Sequence, residues 1–397
     1  MRAYFDHNAT TPIEPEVLDA MLPYLRHEFG NASSIHTPGQ RARAAVERAR
    51  AQVAALIAAL PEEIIFTSGG TESDNLAILG AVRANRSSRR HIITTAIEHH
   101  AVLHPCRALG QESFDITYLP VDQHGFVTAD SLRTALRPDT LLVSIMHANN
   151  ETGAIQPISE LAAFAHEAGA LFHTDAVQSA GKISCDVHAL GVDLLSLSAH
   201  KFYGPKGVGA LFLKTGVALK PLLHGGHNFG EPRPGTENVA GIVGLGAAAH
   251  FATKHMQNDA VQIRALRDQI ESSMLAEFSR EICLPNFPLL HEAQSDGARM
   301  PNTTNFSFQG VDGEAMVIAL DLAGFSCSTG SACSSGTVEP SHVLLALGRS
   351  PQMARGGLRI SLGRHNTNAE VDSLVRVLID VVRRLRALSP DAVESVR

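Results

Sequence analysis

Chemically capable residues recur at one kind of position in this sequence, at or directly after the end of a short apolar run. Five such runs are followed, in chain order, by SGGTESDN, AIEHH, HANNETG, DAVQ and SAHKFYGPKGVG. The first stretch contains Gly69, Gly70 and Thr71, a turn whose backbone N–H groups can hold a phosphate at a helix start. The last contains Lys201 in a tight turn after a buried strand, where desolvation lowers the pKa of an amine and favours nucleophilic chemistry.

Each of these groups also has an ordinary structural interpretation. A Gly-Gly-Thr turn commonly just begins a helix, and a single histidine such as His99 is commonly a hydrogen-bonded core residue. Asp175 can cap a helix, and Lys201 can be a solvated surface lysine. A metal site on His100 and His104, one helical turn apart, is disfavoured because no third ligand or catalytic glutamate follows at the required spacing.

One chemistry requires all of these groups together. Pyridoxal phosphate needs a lysine for a Schiff base, an acid beside its pyridine nitrogen, a phosphate cup at a helix N-terminus and a flat group on its ring. Lys201, Asp175 and His99 supply the lysine, the acid and the flat group, and Gly70 with Thr71 supplies the cup. The separation of Asp175 from Lys201 is about one strand–helix–strand crossover, which predicts that both lie at one edge of a sheet.

The apolar runs define the elements that must position these residues. We predict strands at Ile64–Thr67, His91–Thr95, Leu141–Met146, Ala170–Thr174, Leu194–Leu197 and Val208–Leu213. Helical stretches such as Ser159–Glu167 lie between most of them, and this alternation predicts an α/β domain with a mostly parallel sheet covered on both faces. Ligands of such sheets bind at the carboxyl ends of the strands, where the polar stretches lie.

The rest of the chain predicts a second, smaller α+β core. Near Ala260 the alternation gives way to a long polar-faced helix, a strand-like NFSFQ and a final helix that Thr367 and Glu370 begin with a capping box. We therefore predict a large domain at 14–256 and a small domain formed by 1–13 and 257–397. Residues 244–249 nominally match a dinucleotide fingerprint, but they lie in an apolar helical run without a preceding strand, so we assign them to a helix.

Composition restricts the class of protein. The chain has 397 residues, 44% of them hydrophobic and 18% charged, with a net charge of −7, which excludes a disordered chain and predicts no nucleic-acid partner. No apolar run is long enough to span a bilayer and the start lacks a signal-peptide core, so we expect a cytoplasmic protein with no membrane partner. Its five cysteines should be free thiols, and Cys327 and Cys333, in FSCSTGSACSSGTVEP, are expected on an accessible loop.

At these residues the chain resembles the cysteine desulfurases of the NifS/IscS type, in the class V aminotransferase family of fold-type I pyridoxal-phosphate enzymes. The resemblance runs in order through DHNATTP, FGNASSIH, SGGTESDN, IEHHAV, HANNETGAIQP, HTDAVQ, SAHKFYGPKGVG, PGTENVAGIVG, STGSACSSGTVEPSHVL and LRISLGR. It implies a large domain with a mostly parallel, seven-stranded sheet. It also implies that the small domain carries a loop, at about 325–340, with the catalytic cysteine.

The resemblance implies roles for individual residues. Lys201 forms the internal aldimine, Asp175 pairs with the pyridine nitrogen, and His99 stacks on the ring and serves as acid and base. Arg359, with Asn150 beside it, binds the carboxylate of the substrate, for which a bidentate guanidinium is suited. The other positions that match cofactor-binding residues are Gly70, Thr71, Asn150, Gln178, Ser198, His200 and Thr236. Since Thr236 matches a residue that the neighbouring subunit contributes, a homodimer is implied.

Cys333 in GSAC matches the nucleophile of the family. Its thiolate attacks the sulfur of L-cysteine, which leaves a persulfide on Cys333 and releases alanine. The persulfide then passes to a sulfur acceptor or an iron–sulfur scaffold protein, and Cys333 is also a candidate transient iron–sulfur ligand. The alternative activities are a selenocysteine lyase or related carbon–sulfur lyase and a sulfur-trafficking protein without a cofactor.

Two departures from the family pattern are visible. HNFGEPRP places Phe229 and Gly230 where the family has a charged pair, which affects the contacts expected on the dimer side of the site. The sequence also stops at SPDAVESVR, soon after the last predicted helix. This favours a NifS-like member and predicts that no IscS-type tail docks a scaffold.

Overall fold

The fold was analysed in a computed structural model that describes residues 2–225, 232–287, 297–330 and 339–389. The strands in these ranges are β1 (Ala3–Tyr4), β2 (Ile64–Thr67), β3 (His91–Thr95), β4 (Asp115–Leu119), β5 (Thr140–Ser144), β6 (Leu171–Asp175), β7 (Leu194–Ser198), β8 (Gly209–Leu213), β9 (Cys283–Pro285), β10 (Thr303–Phe308), β11 (Phe325–Ser326) and β12 (Gly357–Ser361).

The α-helices of the same ranges are α1 (Pro15–Arg26), α2 (Thr37–Leu56), α3 (Gly70–Ala84), α4 (His100–Gln111), α5 (Ala129–Ala135), α6 (Ile158–Glu167), α7 (Val187–Leu190), α8 (Val239–Glu277), α9 (Gly313–Leu322), α10 (His342–Ala346), α11 (Pro351–Arg355) and α12 (Asn368–Ala387). A short 3₁₀ helix, Ala199–Lys201, follows β7 directly.

Seven strands form the large sheet, in the order β2-β8-β7-β6-β5-β3-β4. The pairs from β4 through β7 are parallel, whereas β8 runs antiparallel to both of its neighbours. Every residue of β3, β5 and β7 is buried, because helices cover both faces of the sheet. The predicted fold class, an α/β protein with a mostly parallel seven-stranded sheet, is confirmed.

A second, smaller sheet lies in the C-terminal part of the chain. Its strands run antiparallel in the order β12-β10-β9, and β1 from the N-terminus pairs with β11 beside it. Phe306, Phe308, Leu358 and Ile360 of this sheet belong to an apolar cluster that is distinct from the core under the large sheet. The N-terminal segment is therefore built into the smaller unit.

Helix α8 connects the two cores. Its residues Leu245 and Ala248 belong to the core of the large sheet, whereas Leu266 and Ile270 belong to the second cluster. The helix therefore passes from one core to the other between Ala248 and Leu266, and the predicted boundary at 256/257 lies in this region. The domain limits stay a prediction, and we propose that α8 spans the boundary as one continuous helix.

Several local predictions differ from the structure. Strand β4 was not predicted, because it is an edge strand with exposed and half-buried residues and therefore lacks an apolar run. Cys327 is buried rather than on an accessible loop, since β11 pairs with β1 just before it and Ser328 pairs with Arg359 just after it. Residues 244–249 lie inside α8, as predicted, and Thr367 and Glu370 form the capping box of α12.

No helix in the four described ranges combines the length and the apolar character that a membrane crossing needs.

Candidate active site

A cavity of about 370 Å³ opens at the carboxyl ends of β6 and β7 and at the start of α3. The sequence-predicted residues that line it are Gly70, Thr71, His99, Asn150, Asp175, Gln178, Ser198, His200, Lys201 and Arg359. Arg359 comes from β12 of the small sheet, and the others come from the part of the chain that builds the large sheet. The volume lies within the range of small-molecule sites.

The start of α3 forms one end of the cavity. Gly69 occupies the N-cap position with φ +154°, and as a glycine it offers no side chain to cap the first turn. A Cβ at Gly70 would lie 2.6 Å from Cγ2 of Val177 and 3.7 Å from Cβ of Ser198, so the backbone here approaches the neighbouring loops closely. Uncapped N–H groups at the positive end of a helix favour a phosphate.

Asp175 supplies a buried acid at the end of β6. The side chain is 5% exposed, and its Oδ1 accepts a hydrogen bond of 2.8 Å from the N–H of Val177. Burial raises the pKa of Asp175 to about 6, although the Val177 N–H and the charge of Lys201 act in the opposite direction. A cationic ring nitrogen beside this carboxyl would favour the ionised form.

Lys201 ends the 3₁₀ turn after β7 and extends toward the N-terminal segment. Its Nζ donates hydrogen bonds of 2.6 Å to the carbonyl of Asn8 and 2.9 Å to the carbonyl of Ala9. The preceding His200 contacts the same segment, with Nδ1 at 3.2 Å from Oγ1 of Thr10. These contacts between the N-terminal segment and the Lys201 turn fix the lysine at the cavity.

His99 is the N-cap residue of α4 and is held in a defined tautomer. Its Nδ1 accepts a hydrogen bond of 3.1 Å from the N–H of Ala101, so the neutral ring carries its proton on Nε2. Burial, followed by the charges of Lys201 and His100, lowers the pKa of His99 to about 4. The imidazole is therefore neutral at pH 7, which suits a ring that stacks on another ring and donates a hydrogen bond through Nε2.

Arg359 and Asn150 form the opposite side of the cavity. Arg359 is 3% exposed; its Nη2 donates to Oδ1 of Asp6 at 2.6 Å and its Nη1 donates to the carbonyl of Asn150 at 3.1 Å. The Nε of Arg359 has no hydrogen-bond partner among the described residues. A buried guanidinium with an unused donor is suited to bind a carboxylate.

One predicted residue lines a different cavity, and another lies outside the described residues. Thr236 is exposed and lines a separate, smaller cavity with Ser68 and Arg233. The cavity therefore does not include Thr236 of the same chain, as expected if this residue serves a neighbouring copy. Cys333, together with Phe229 and Gly230, lies outside the described residues.

The cavity also contains residues that the sequence analysis did not select. Asn8 lies in DHNATTP, and its Nδ2 donates to the carbonyl of Asn150 at 3.0 Å and to Oγ1 of Thr303 at 2.9 Å. Asp74 was noted only as part of SGGTESDN; it is 1% exposed, and burial together with the charge of Asp175 raises its pKa. The DHNATTP and SGGTESDN stretches were visible in the sequence, but nothing in them showed that these side chains point into the site.

The donor set fits pyridoxal phosphate. Oδ1 of Asp74 is buried at the cavity without a hydrogen-bond partner in the described part of the chain, and the close approach at Gly70 leaves an open helix start. Asp175, Lys201 and His99 supply the acid, the amine and the neutral ring that this cofactor requires.

Comparison with known proteins gives consistent results. The family model described as aminotransferase class-V matches residues 3–374. A cysteine desulfurase IscS from Dictyoglomus turgidum is 49% identical over 387 residues, which cover 98% of this chain and 96% of the relative. One from Methanosarcina thermophila is 48% identical and covers 98% and 93%. A solved structure described as a NifS-like protein has a TM-score of 0.88 and 37% identity, covering 96% of this chain and all of that one.

Proposed function

The chain belongs to the aminotransferase class-V family, and from this premise we infer that it is a pyridoxal-phosphate-dependent cysteine desulfurase acting on L-cysteine. One observation carries the inference: Lys201, Asp175, His99 and Arg359 meet in one cavity of a chain that is 49% identical to a named desulfurase. The resemblance to the NifS/IscS type is confirmed. The similar proteins include both an IscS and a NifS-like protein, so the preference for the NifS branch stays a prediction.

We propose that the cavity residues divide into holding groups and reacting groups. Pyridoxal phosphate, when bound, supplies an electron-withdrawing ring that stabilises negative charge on Cα of an amino acid. The start of α3, with Gly70, Thr71 and Ser198, would hold the phosphate, and Asp175 would hold the ring nitrogen in its protonated form. Asn150, Gln178 and His200 complete the cofactor-binding set.

Arg359 would orient L-cysteine, and Lys201 and His99 would move its protons. The guanidinium binds the carboxylate of the substrate while Asp6 and Asn150 fix its plane. The Nζ of Lys201 holds the cofactor and, once released from it, can accept the proton of Cα. Neutral His99 would act as a proton donor through Nε2–H, because its Nδ1 accepts the Ala101 N–H.

We propose Cys333 as the sulfur-accepting nucleophile. Its thiolate attacks the sulfur of L-cysteine; the carbon–sulfur bond breaks, a sulfur–sulfur bond forms, and a proton completes the methyl group of alanine. Burial raises the pKa of Cys106, Cys185 and Cys283 to about 12 and raises that of Cys327 as well, so these thiols are poor nucleophiles at pH 7. This supports the assignment to the fifth cysteine.

The product and the assembly are part of the same proposal. The persulfide would pass to a sulfur acceptor, such as a scaffold protein for iron–sulfur clusters, and Cys333 could transiently ligate such a cluster. We propose a homodimer in which Thr236 reaches the site of the partner. We also propose a cytoplasmic location, which is supported by four described cysteines that are all unpaired.

Mass spectrometry after incubation with L-cysteine tests this function. We expect the loaded protein to release alanine and to gain one sulfur atom on Cys333, and Cys333→Ala to lose the added sulfur and most of the turnover. Cys106→Ala is the matched control, since its thiol is buried in α4 and should leave both readouts unchanged. Full activity of Cys333→Ala on L-cysteine would contradict the persulfide route and favour a selenocysteine lyase or related carbon–sulfur lyase.

A second measurement addresses the sulfur-trafficking alternative without a cofactor. Binding of pyridoxal phosphate through Lys201 should give an absorbance band at the edge of the visible range. Lys201→Ala should abolish that band. If the wild-type protein shows no such band when mixed with pyridoxal phosphate, the enzyme assignment is wrong.

A further inference from the structure

A second lysine, Lys182, lies behind the cavity and has no role in the proposed chemistry. It follows β6 in a turn, and its Nζ donates hydrogen bonds to Oε1 of Gln178 at 3.2 Å and to Oδ1 of Asn8 at 3.5 Å. Both acceptors are neutral amide oxygens of residues that line the cavity. Lys182 therefore places a cationic group beside the site without an ion-pair partner at these contacts.

Asn8 connects this amine to Lys201. The carbonyl oxygen of Asn8 accepts hydrogen bonds from Nζ of Lys201 at 2.6 Å and from Nε2 of Gln178 at 3.0 Å. Its side chain is fixed separately by Asn302, whose Nδ2 donates to Oδ1 of Asn8 at 2.9 Å. The two lysines thus contact opposite ends of one residue, and Gln178 is held from both sides.

Cationic groups outnumber carboxylates around Asn8. Lys201 and Arg359 supply two cations and Lys182 adds a third below about pH 7, whereas Asp6 pairs with Arg359 and Asp175 faces Lys201. Burial, followed by repulsion from Lys201 and Arg359, lowers the pKa of Lys182 to about 7. A positive charge next to another nitrogen makes that nitrogen less basic, because its protonated form is destabilised.

We propose that Lys182 is a positioning residue that fixes Asn8 and Gln178. Its charge also lowers the basicity of the Lys201 nitrogen when that nitrogen holds the cofactor. This inference rests on the proposed function, since it assigns the cofactor to Lys201. A less basic nitrogen would stay unprotonated to lower pH and would be ready to accept a proton from the incoming amino group of the substrate.

Other titratable groups surround Lys182 and must be considered in a pH experiment. Lys182 interacts electrostatically with His7 on the N-terminal segment and with His200 on the turn after β7. Burial lowers the pKa of both histidines to about 4, so they stay neutral above pH 5.5. The titratable or charged groups that face Lys182 are Lys201, Arg359, His7 and His200, together with Tyr203 of the Lys201 turn and Asp259 of α8 across a small cavity.

The test is a pH titration of the absorbance band of the protein loaded with pyridoxal phosphate. The pH at the midpoint of this titration should rise by about one unit in Lys182→Gln, because glutamine keeps hydrogen-bonding capacity but removes the charge. Lys182→Met removes both and should shift the midpoint in the same direction. Lys182→Arg keeps the charge and should not raise the midpoint. Lys254→Gln, at an exposed position on α8, is the control for loss of a distant charge.

The outcomes separate this inference from the proposed function. Failure of the wild type to form the band would refute the function, whereas a normal band with unshifted midpoints in the neutral variants would overturn the role of Lys182 alone. Circular dichroism reports whether each variant is folded. If both neutral variants were unfolded while Lys182→Arg was folded, the charge would serve stability and the proposal would be wrong.

Discussion

Asp175 shows how one residue in this site combines a functional advantage with a stability cost. A carboxyl buried at the end of β6 binds its proton more tightly than it does in the unfolded chain, and the pKa rises to about 6. The folded protein without cofactor therefore loses stability as the pH rises from the unfolded value near 4 through about 6. A bound pyridinium would offset this cost by pairing with the ionised form.

Asp175→Asn should separate the two effects. We expect the cofactor-free variant to be more stable than the wild type at pH 7.5, on the order of 2 kcal/mol, and the difference to vanish near pH 4. The loaded variant should lose activity by about 10²–10³-fold, as when one preorganised electrostatic group is removed. Thermal unfolding at both pH values and a turnover assay measure these changes.

Asp186→Asn serves as the control for that experiment. Asp186 caps α7 through hydrogen bonds from the N–H groups of His188 and Ala189, and asparagine caps a helix equally well. This variant should match the wild type in both assays. An Asp175→Asn protein that keeps wild-type turnover would show that Asp175 does not act on the ring nitrogen.

At the scale of elements, the start of α3 and the ends of β6 and β7 form one structural unit. The parallel crossover from β6 to β7 places Asp175 and the Lys201 turn on one edge of the sheet, as predicted. Helix α3 begins where the loop after β6 approaches it, and Gly70 permits that approach because a Cβ would meet Val177. The start of α3, which we propose as the phosphate end, and the acid at Asp175 are thus positioned by neighbouring loops.

Gly70→Ala tests this close approach. The added methyl group would lie 2.6 Å from Cγ2 of Val177, so either α3 or the loop after β6 must shift. We expect the dissociation constant for pyridoxal phosphate to rise at least about tenfold, which corresponds to about 1.4 kcal/mol. Fluorescence titration of the cofactor-free protein measures it.

The matched control for Gly70→Ala is Gly110→Ala in α4. There the added methyl group would lie 3.5 Å from Cγ1 of Ile116, which is ordinary contact, and alanine is the better helix former. This variant should bind the cofactor normally and be more stable by about 0.5–1 kcal/mol. Unchanged affinity in Gly70→Ala would argue against α3 as the phosphate-binding element.

At the scale of the whole molecule, the position of Thr236 points to an assembly. Thr236 is exposed and lies outside the cavity of its own chain. Several large apolar residues near the N-terminus are also exposed, among them Phe29 at 89% and Ile35 at 91%. Exposed apolar side chains of this size are available to pack against a second copy of the chain. Both features support the proposed homodimer.

Hybrid dimers test whether Thr236 completes the site of a partner. Lys201→Ala should be inactive, and Thr236→Ala should have weakened cofactor binding. In a mixed dimer, the Thr236→Ala subunit keeps its own Lys201. Its site then receives an intact Thr236 from the Lys201→Ala partner. Mixing and refolding the two variants should therefore restore activity toward about one quarter of the wild-type value, since half of the dimers are mixed and each has one complete site.

Sedimentation and a second mixture complete the hybrid-dimer experiment. Analytical ultracentrifugation should give the mass of two chains. A mixture of Lys201→Ala with Asp175→Asn should not gain activity, because both changes affect residues that line the cavity of the same chain. A monomer in solution, or no recovery with Thr236→Ala, would refute the assignment of Thr236 to a shared site.

The sequence by itself determined the parts of this protein that depend on local patterns. Strands β2, β3 and β5 to β8 are almost entirely buried, so each is rich in apolar residues, and the end of each marks where a ligand can bind. Gly70, Asp175 and Lys201 could be selected because turns and parallel crossovers fix where such residues lie relative to a sheet edge. The same logic fails at β4, whose exposed edge position removes the pattern.

Only the tertiary structure decided which side chains meet across the two cores. Asn8 contacts Asn150, Gln178, Lys201 and Asn302, which no spacing rule connects to it, because these contacts join segments far apart in the chain. The burial of Cys327 and Asp74 and the half-buried position of Lys182 behind the cavity also depend on tertiary packing. Burial and charge neighbourhood are properties of packing, and packing sets the pKa of a group as strongly as its identity does.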